Sequence, residues 1–488
     1  MKTAIIIGGG IAGLAAGIYA QKAGMESVIY EKHTIAGGEC TGWDRQGFHI
    51  DGSIHWLMGT LEGTGLNKIW KDVGALGDVG VYQPDSFATM DCEDTHVILY
   101  REMEQLKRHL LELAPEDKAE IEALCTYIKP FYGFEPPCEK PVDLMGFVEK
   151  MKFYGSMQKV GAVIKTLGKI NVAEYLQRFR NPALRAALAS ILPSYYSAYI
   201  LPSTLATFIS GNGGRPMGGS RALAQRMEEK YKSLGGKLVL ATEVMEIIVD
   251  KAEATGIVLG DGTTKHAHYI IPACDVHITL KELLQDKFRD QSFETRYQDR
   301  TAYPLLACVY VALGIDADLS QYPENYVFET EPFAYQDQPQ NMLSIKHYCY
   351  EPSFAPPGKS IVIAYFHADY DWWAQKRQDA TAYKAEKARL ATEISKRMEQ
   401  RFPELSGKVK MLDVATPLTY ERYCGAYQGS YMAFGMTPKS KQLMHDGRIK
   451  GIDNLYMAGQ WLMPPGGLPT AVITGKWAIQ RILKRVNH

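Results

Sequence analysis

The strongest pattern of apolar and polar positions lies at the start of the chain. Ala4-Ile5-Ile6-Ile7 is an uninterrupted apolar run and predicts a short buried strand over Thr3–Ile7. A helical pattern follows through Ala23 and stops at Gly24, a residue suited to a C-cap. Ser27-Val28-Ile29-Tyr30 predicts a second strand that ends at Glu31. Farther on, Ile257-Val258-Leu259, the polar turn Gly260-Asp261-Gly262-Thr263 and the stretch His266 to Ile271 read as a hairpin. Leu343 to Tyr350 and Ser360 to Phe366 read as strands, with Val362, Ala364 and Phe366 on one face. A last helical pattern runs from Pro469 to Val486.

Between the first strand and the first helix stands Gly8-x-Gly10-x-x-Gly13. Gly8 permits a tight turn, Gly10 lets a pyrophosphate approach the backbone, and Gly13 lets the helix pack closely on the strand. The N-terminus of that helix, around Ile11 and Ala12, then faces the negative charge. Glu31 lies 18 residues past Gly13, near the distance expected of a carboxylate that accepts from ribose hydroxyls. A structural glycine turn would not explain Glu31, so the segment predicts nucleotide binding. The fingerprint alone does not separate NAD from FAD. No second copy exists: 211–216 read G-N-G-G-R-P and 74–80 read G-A-L-G-D-V-G, so no separate NAD(P)H domain is expected.

Composition narrows the class. The chain has 488 residues, enough for about three domains or two larger ones. With 46% apolar and 22% charged residues it is neither disordered, collagen-like nor a coiled-coil rod. A net charge of −1 gives no global argument for nucleic acid. Eight cysteines without a C-x-x-C pair read as reduced thiols, with neither a disulfide scaffold nor a zinc site. The first segment is like a signal peptide in its Lys2 and apolar run, but the strand-turn-helix reading explains its glycines better. With no other run of membrane-spanning length, the expectation is a cytoplasmic protein.

Other segments carry a resemblance. They are Gly37-Gly38 with Glu39, Gly47 to Ser53, Asn454-Leu455-Tyr456-Met457-Ala458-Gly459-Gln460 and Pro464-Pro465-Gly466-Gly467-Leu468-Pro469. With the N-terminal fingerprint they resemble the phytoene desaturase and retinol saturase branch of the FAD-dependent amine-oxidase-like superfamily, over most of the chain. The resemblance implies an α/β fold: a discontinuous, Rossmann-like FAD-binding domain of the GR2 type, from 1–60, 211–280 and 411–488. A mixed α+β substrate-binding or lid region, 61–210 and 281–410, is inserted in it. It implies a Gly-Gly turn at Gly218-Gly219 before a helix from Arg221 to Leu234, and a return to the FAD domain at Ala273-Cys274-Asp275. The implied FAD is extended, with adenine near Val244, Glu31 and Lys32. Gly10 and Gly38 are implied to hold the cofactor as well. Glu39 and Gln460 lie near the pyrophosphate or ribityl chain in relatives, with Gly459 beside Gln460. The implied isoalloxazine points toward Ile54, Gly466, Gly467 and Leu468. Two residues depart from the pattern. The family usually places Arg where this chain has Glu39, and often Asp where it has Gln460. Glu39 beside phosphate would be repulsive unless paired or turned away.

The resemblance implies oxidoreduction, or a redox-neutral isomerisation, at carbon–carbon double bonds of an apolar, isoprenoid or polyene substrate. The electron partner is left open between oxygen, a quinone, a carrier protein and NAD(P)H visiting the substrate side. Candidate catalytic residues are His55, with an ordinary pKa near ~6.5, and Glu421, in a segment that lines the flavin pocket of relatives. His266 and His268 share a strand face but lack a third ligand, so no metal is expected. The aromatics Tyr348, Tyr350, Tyr365, Phe366, Tyr370, Trp372 and Trp373 fit either a sheet core or an apolar channel. Residues 149–169 interleave lysines with apolar residues, as a helix on an anionic membrane would or as a solvated lid helix would; Gly155 and Gly161 weaken the helix. Two other readings stand beside this one: a flavin amine oxidase, and a flavin-free prenyl-lipid carrier of the GDP-dissociation-inhibitor type. The intact Gly8, Gly10, Gly13 and Glu31 argue against the second.

Overall fold

The computed structural model describes residues 2–92, 94–441 and 444–486. Strand β1 (Thr3–Ile7), helix α1 (Ile11–Lys22) and strand β2 (Glu26–Tyr30) start a parallel sheet, with Ile5 opposite Val28. The strand Tyr269–Pro272 pairs with the other edge of β1, and Lys237–Val239 adds outside β2, all parallel. Leu455 bridges Ile270 on the far side, and the N–H of Ala458 donates to the Pro272 carbonyl. Strands covered on both faces need apolar residues at every position, which is why Ala4 to Ile7 show no alternation.

Helix α1 shows the same logic. Leu14, Ala15, Ala16 and Ile18 are fully buried, so the helix has no polar stripe. It lies between the sheet, the helix Gly219–Ser233 and the C-terminal helix Leu468–Val486. Close approach to the C-terminal helix depends on Gly475. A Cβ there would overlap the Ala12 carbonyl oxygen and meet the Ala16 nitrogen at 3.0 Å. The opposite sheet face, Ile5, Ile7 and Ile270, packs on Val244, Ile247 and Ile257 of a three-stranded sheet.

The predicted hairpin is present as Glu253–Leu259 against Thr264–His266. The stretch His266 to Ile271 is not one strand, however. It divides at Ala267-His268, and Tyr269–Pro272 leaves for the main sheet. His266 consequently bonds the Thr255 carbonyl while His268 bonds Thr3, so the two rings serve different sheets. Among the described residues no group of three His, Cys, Asp or Glu side chains is placed to hold a metal.

A second, seven-stranded sheet runs in the order Val409–Ala415, Ala307–Ile315, Ser360–Ala368, Gln338–His347, Asn325–Tyr335, Ser86–Cys92, Thr95–Tyr100. Its two faces have different neighbours. Val309, Val311, Val362, Ala364 and Phe366 pack against Leu390, Ile394 and Met398 of the helix Ala380–Arg401. Tyr310, Ile363, Tyr365, Ser344 and Lys346 face the other way and line a cavity. Of the seven aromatics singled out in the sequence, Tyr365 lines the cavity, while Tyr348, Phe366 and Trp373 are buried in core clusters. Helices between Met103 and Ile209 form a separate apolar cluster around Leu124, Leu184 and Leu205.

Because Gly475 contacts backbone, which cannot rotate away, Gly475→Val is expected to destabilise the protein by about 1–3 kcal/mol. Denaturant unfolding followed by circular dichroism measures it, and an unchanged midpoint would contradict the close helix contact.

Candidate active site

The first turn of α1 begins one wall of the cavity. Gly8 takes φ +103°, a conformation open to glycine, and turns the chain sharply out of β1. Gly10 caps α1 without a side chain, so the N–H groups of the first turn keep no side-chain partner. A Cβ on Gly10 would meet nothing nearer than 3.9 Å, which leaves the approach to those N–H groups clear. Gly13 lies behind this surface and outside the lining; its role is contact with the Gly8 carbonyl. At the end of β2, Glu31 is 8% exposed. Its carboxylate accepts from the Gly9 N–H at 2.6 Å and the His33 N–H at 2.7 Å. The N–H of Thr242 donates to the Glu31 carbonyl and that of Ala241 to the His33 carbonyl, which brings Val244 beside Glu31 and Lys32.

The other end of this wall is built from the C-terminal segment. Gly459, Gln460, Gly466, Gly467 and Leu468 line the cavity together with Ile54. Ile54 is fixed by Asp51, whose buried carboxylate accepts from the N–H groups of Ser53, Ile54 and Ser220 and from the Ser220 hydroxyl. The volume is about 1730 Å³. A pocket for one drug-sized ligand occupies roughly 300–1,000 Å³, so the space suits an extended dinucleotide and a second molecule. Open helix N–H groups, an acceptor at Glu31 and a side-chain-free path between them fit FAD.

The two departures, Glu39 and Gln460, touch each other. The Gln460 amide nitrogen donates to Glu39 at 3.2 Å, and its oxygen accepts from the Gly467 N–H at 2.8 Å. Burial, reinforced by the nearby Asp275 carboxylate, pushes the Glu39 pKa up to about 8 against the lowering effect of Gln460. Burial likewise pushes Asp275 up to about 7, although Tyr427 and His277 donate backbone N–H groups to it. At pH 7 the neutral form of Glu39, paired with Gln460, is therefore favoured.

His55 faces the cavity, and its Nε2 lies 2.5 Å from the Tyr310 hydroxyl. Burial and the cations Lys346 and Arg215 lower its pKa to about 3, so it is held as neutral imidazole. Its ordinary pKa therefore does not describe it here, and it is not a cationic acid. The His55 carbonyl accepts from Arg215 Nε at 2.7 Å and from Lys346 Nζ at 3.4 Å. Glu421 is not brought to the cavity: its carboxylate accepts from the Tyr370 hydroxyl at 2.8 Å, away from the lining. The neighbouring Tyr420 lines the cavity instead, because one face of the short helix Pro417–Cys424 turns inward. Sequence reasoning missed Tyr310, Tyr431, Arg215 and Lys346. The one available signal was a lysine alternating with apolar residues in Leu343-Ser344-Ile345-Lys346.

Glu31→Ala removes the acceptor at the nucleotide end and is expected to weaken FAD binding about tenfold or more, read by titrating flavin-stripped protein with FAD. A second expectation concerns pH. Glu39 is protonated below about 8 and gains its charge as pH rises through that value. FAD affinity should fall above that pH in the wild type and stay flat in Glu39→Gln, whose amide mimics the neutral acid. Equal pH dependence in both proteins would remove Glu39 from the phosphate wall.

The profile of the "Flavin containing amine oxidoreductase" family matches residues 11–483. Among curated proteins, the chain is 25% identical to phytoene desaturase (lycopene-forming) from Paracoccus sp., covering 99% of this chain and 97% of that one. It is 24% identical to chloroplastic prolycopene isomerase from Daucus carota, over 98% of this chain and 79% of that one. It is 23% identical to all-trans-retinol 13,14-reductase from Homo sapiens, over 93% and 81%. Among solved structures, an oxidoreductase from Methanosarcina mazei shares the fold with a TM-score of 0.60 at 16% identity, covering 99% of this chain and 100% of that one. With the nucleotide wall intact and the family match spanning nearly the whole chain, the protein belongs to the flavin containing amine oxidoreductase family and is an FAD-dependent oxidoreductase.

Proposed function

We propose that the enzyme forms, removes or moves a carbon–carbon double bond in a long apolar substrate of isoprenoid or polyene type. The observation that carries this reading is the continuity of one cavity from the nucleotide wall to an apolar end lined by Phe131, Phe134, Phe153, Met157 and Ile164. The relatives named for phytoene, prolycopene and all-trans-retinol support the same class. Bound along the wall, FAD supplies a two-electron acceptor or donor at its ring. The chain's own residues position the substrate against it: Tyr310, Tyr365 and Tyr431 form an aromatic floor, with the Tyr365 hydroxyl donating to Tyr431 at 2.8 Å. Tyr310 keeps its proton because burial pushes its pKa well up, and its hydroxyl shares a hydrogen bond with His55 Nε2. The Tyr310–His55 pair is the group best placed to exchange a proton with substrate. Oxygen, a quinone or a carrier protein remains the electron partner of this reading.

The substrate's apolar character also suggests where it is collected. The helix Phe147–Ser156 buries none of its residues, and Phe147 is 80% exposed, with Val148, Met151 and Tyr154 exposed beside it. Phe153 and Met157, from the same segment, line the cavity. The predicted helix over 149–169 is in fact two, broken at Met157, and the second is anchored through Val160, Val163 and Leu167. No helix among the described residues is long and apolar enough to cross a membrane. The reading is a peripheral contact, with Phe147, Val148, Met151 and Tyr154 entering the bilayer surface and Lys150 and Lys152 meeting anionic headgroups.

The test of the reaction is anaerobic mixing of the holoenzyme with an isoprenoid polyene. Bleaching of oxidised flavin identifies desaturation, reoxidation of dithionite-reduced flavin identifies saturation, and a changed geometric isomer without net flavin change identifies isomerisation. Bleaching by primary amines alone would overturn the reading in favour of amine oxidation. Separately, Phe147→Glu with Met151→Glu is expected to lower sedimentation with anionic liposomes by about tenfold or more while leaving flavin content unchanged.

A further inference from the structure

Lys346 is 5% exposed, yet it lies on the cavity face of its strand, two residues from Ser344 on the same face. Its surroundings differ from those of its buried neighbour. Arg215 pairs with Glu324, so that guanidinium already has its counter-ion. Lys346 does not. Among the described residues its Nζ meets only the His55 carbonyl, at 3.4 Å, and the face of the Tyr348 ring, at 4.5 Å, with no carboxylate in ion-pairing range. Asp51, the acid that acts on it from farther away, is committed to Ser53, Ile54 and Ser220. Burial, with the Arg215 guanidinium nearby, pulls the Lys346 pKa well down and favours the neutral amine, and a paired anion would restore the ammonium. The lining beyond it mixes the polar Asn325, opposite Lys346 in the sheet, with the apolar Phe87, Phe208 and Val327. A few converging polar groups in an apolar pocket fix the orientation of a ligand.

We infer that Lys346 anchors the acidic end of the substrate: the cavity takes a molecule with a long apolar body and a terminal carboxylate, whose oxygens meet Lys346 Nζ and the Ser344 hydroxyl. One amine that can take up a single positive charge against an anion, beside one hydroxyl, matches a carboxylate monoanion better than a phosphate dianion, since Arg215 is held by Glu324. The anchor sets the molecule head inward, past His55, with its apolar body directed to Phe153 and Met157. The inference rests on the reading of the cavity as the seat of a long apolar substrate and specifies that substrate's head group.

The test uses the holoenzyme with cis-parinaric acid, a fluorescent polyene carboxylate, and its methyl ester, which has the same body without the charge. Binding is read by energy transfer from the protein's tryptophans, of which Trp56 lines the cavity. The acid should bind about tenfold or more tightly than the ester. Lys346→Met should abolish that preference without weakening the ester, and Lys346→Arg should keep it. Equal wild-type affinity for acid and ester would overturn the anchor and leave the apolar-substrate reading standing. Binding of neither would overturn both. Lys346→Met that loses flavin absorbance but keeps the preference for acid would assign the lysine to the cofactor and overturn the anchor as well.

Discussion

Three backbone segments meet at the N-terminus of α1 with no side chain between them, and the rest of the molecule is arranged around that contact. The Gly37 N–H donates to the Gly9 carbonyl at 2.9 Å, and Gly38 lies against the Gly10 Cα. Behind them, the C-terminal helix approaches the Ala12 carbonyl at Gly475. The contact at Gly475 needs the missing Cβ, and the one at Gly38 leaves little room for one. Together they leave the first-turn N–H groups open toward the cavity, where an anion gains from both the hydrogen bonds and the helix dipole. The chain's two ends are joined by the same packing.

Around that wall the electrostatics are arranged by pairing. Glu31 is satisfied by two backbone N–H groups and keeps the nucleotide end polar. Glu39, a buried acid, is paired with Gln460, 421 residues away in sequence but hydrogen-bonded in space. A substitution at one position makes sense only with the other: a buried acid that stays protonated needs an amide, where an ionised one would need a cation.

The substrate side works by alternation. Within single strands of the seven-stranded sheet, neighbouring residues belong to different worlds: Val362 and Ala364 to the core under the helix Ala380–Arg401, Ile363 and Tyr365 to the cavity. The same period places Ser344 and Lys346 on the cavity face while Leu343 packs into the core. This explains why a cluster of aromatics in sequence could be read either as core or as channel. The cavity floor is rigid because its other face is a packed core, which is a favourable place to hold a substrate against a cofactor.

What the sequence by itself determined is whatever depends on local backbone. The strand-turn-helix start, the stop at Gly24 and the acid at Glu31 follow from short-range sterics and hydrophobic period, and they appear where that period sets them. The broken strand at Ala267-His268 was not legible, because its two halves are separated only by which sheet each joins. The neutral state of His55, the withdrawal of Glu421 to Tyr370 and the pairing of Glu39 with Gln460 were not legible either. Each depends on burial and on partners distant in sequence. A residue's charge and direction are set by the medium around it, and that medium exists only once the chain has folded.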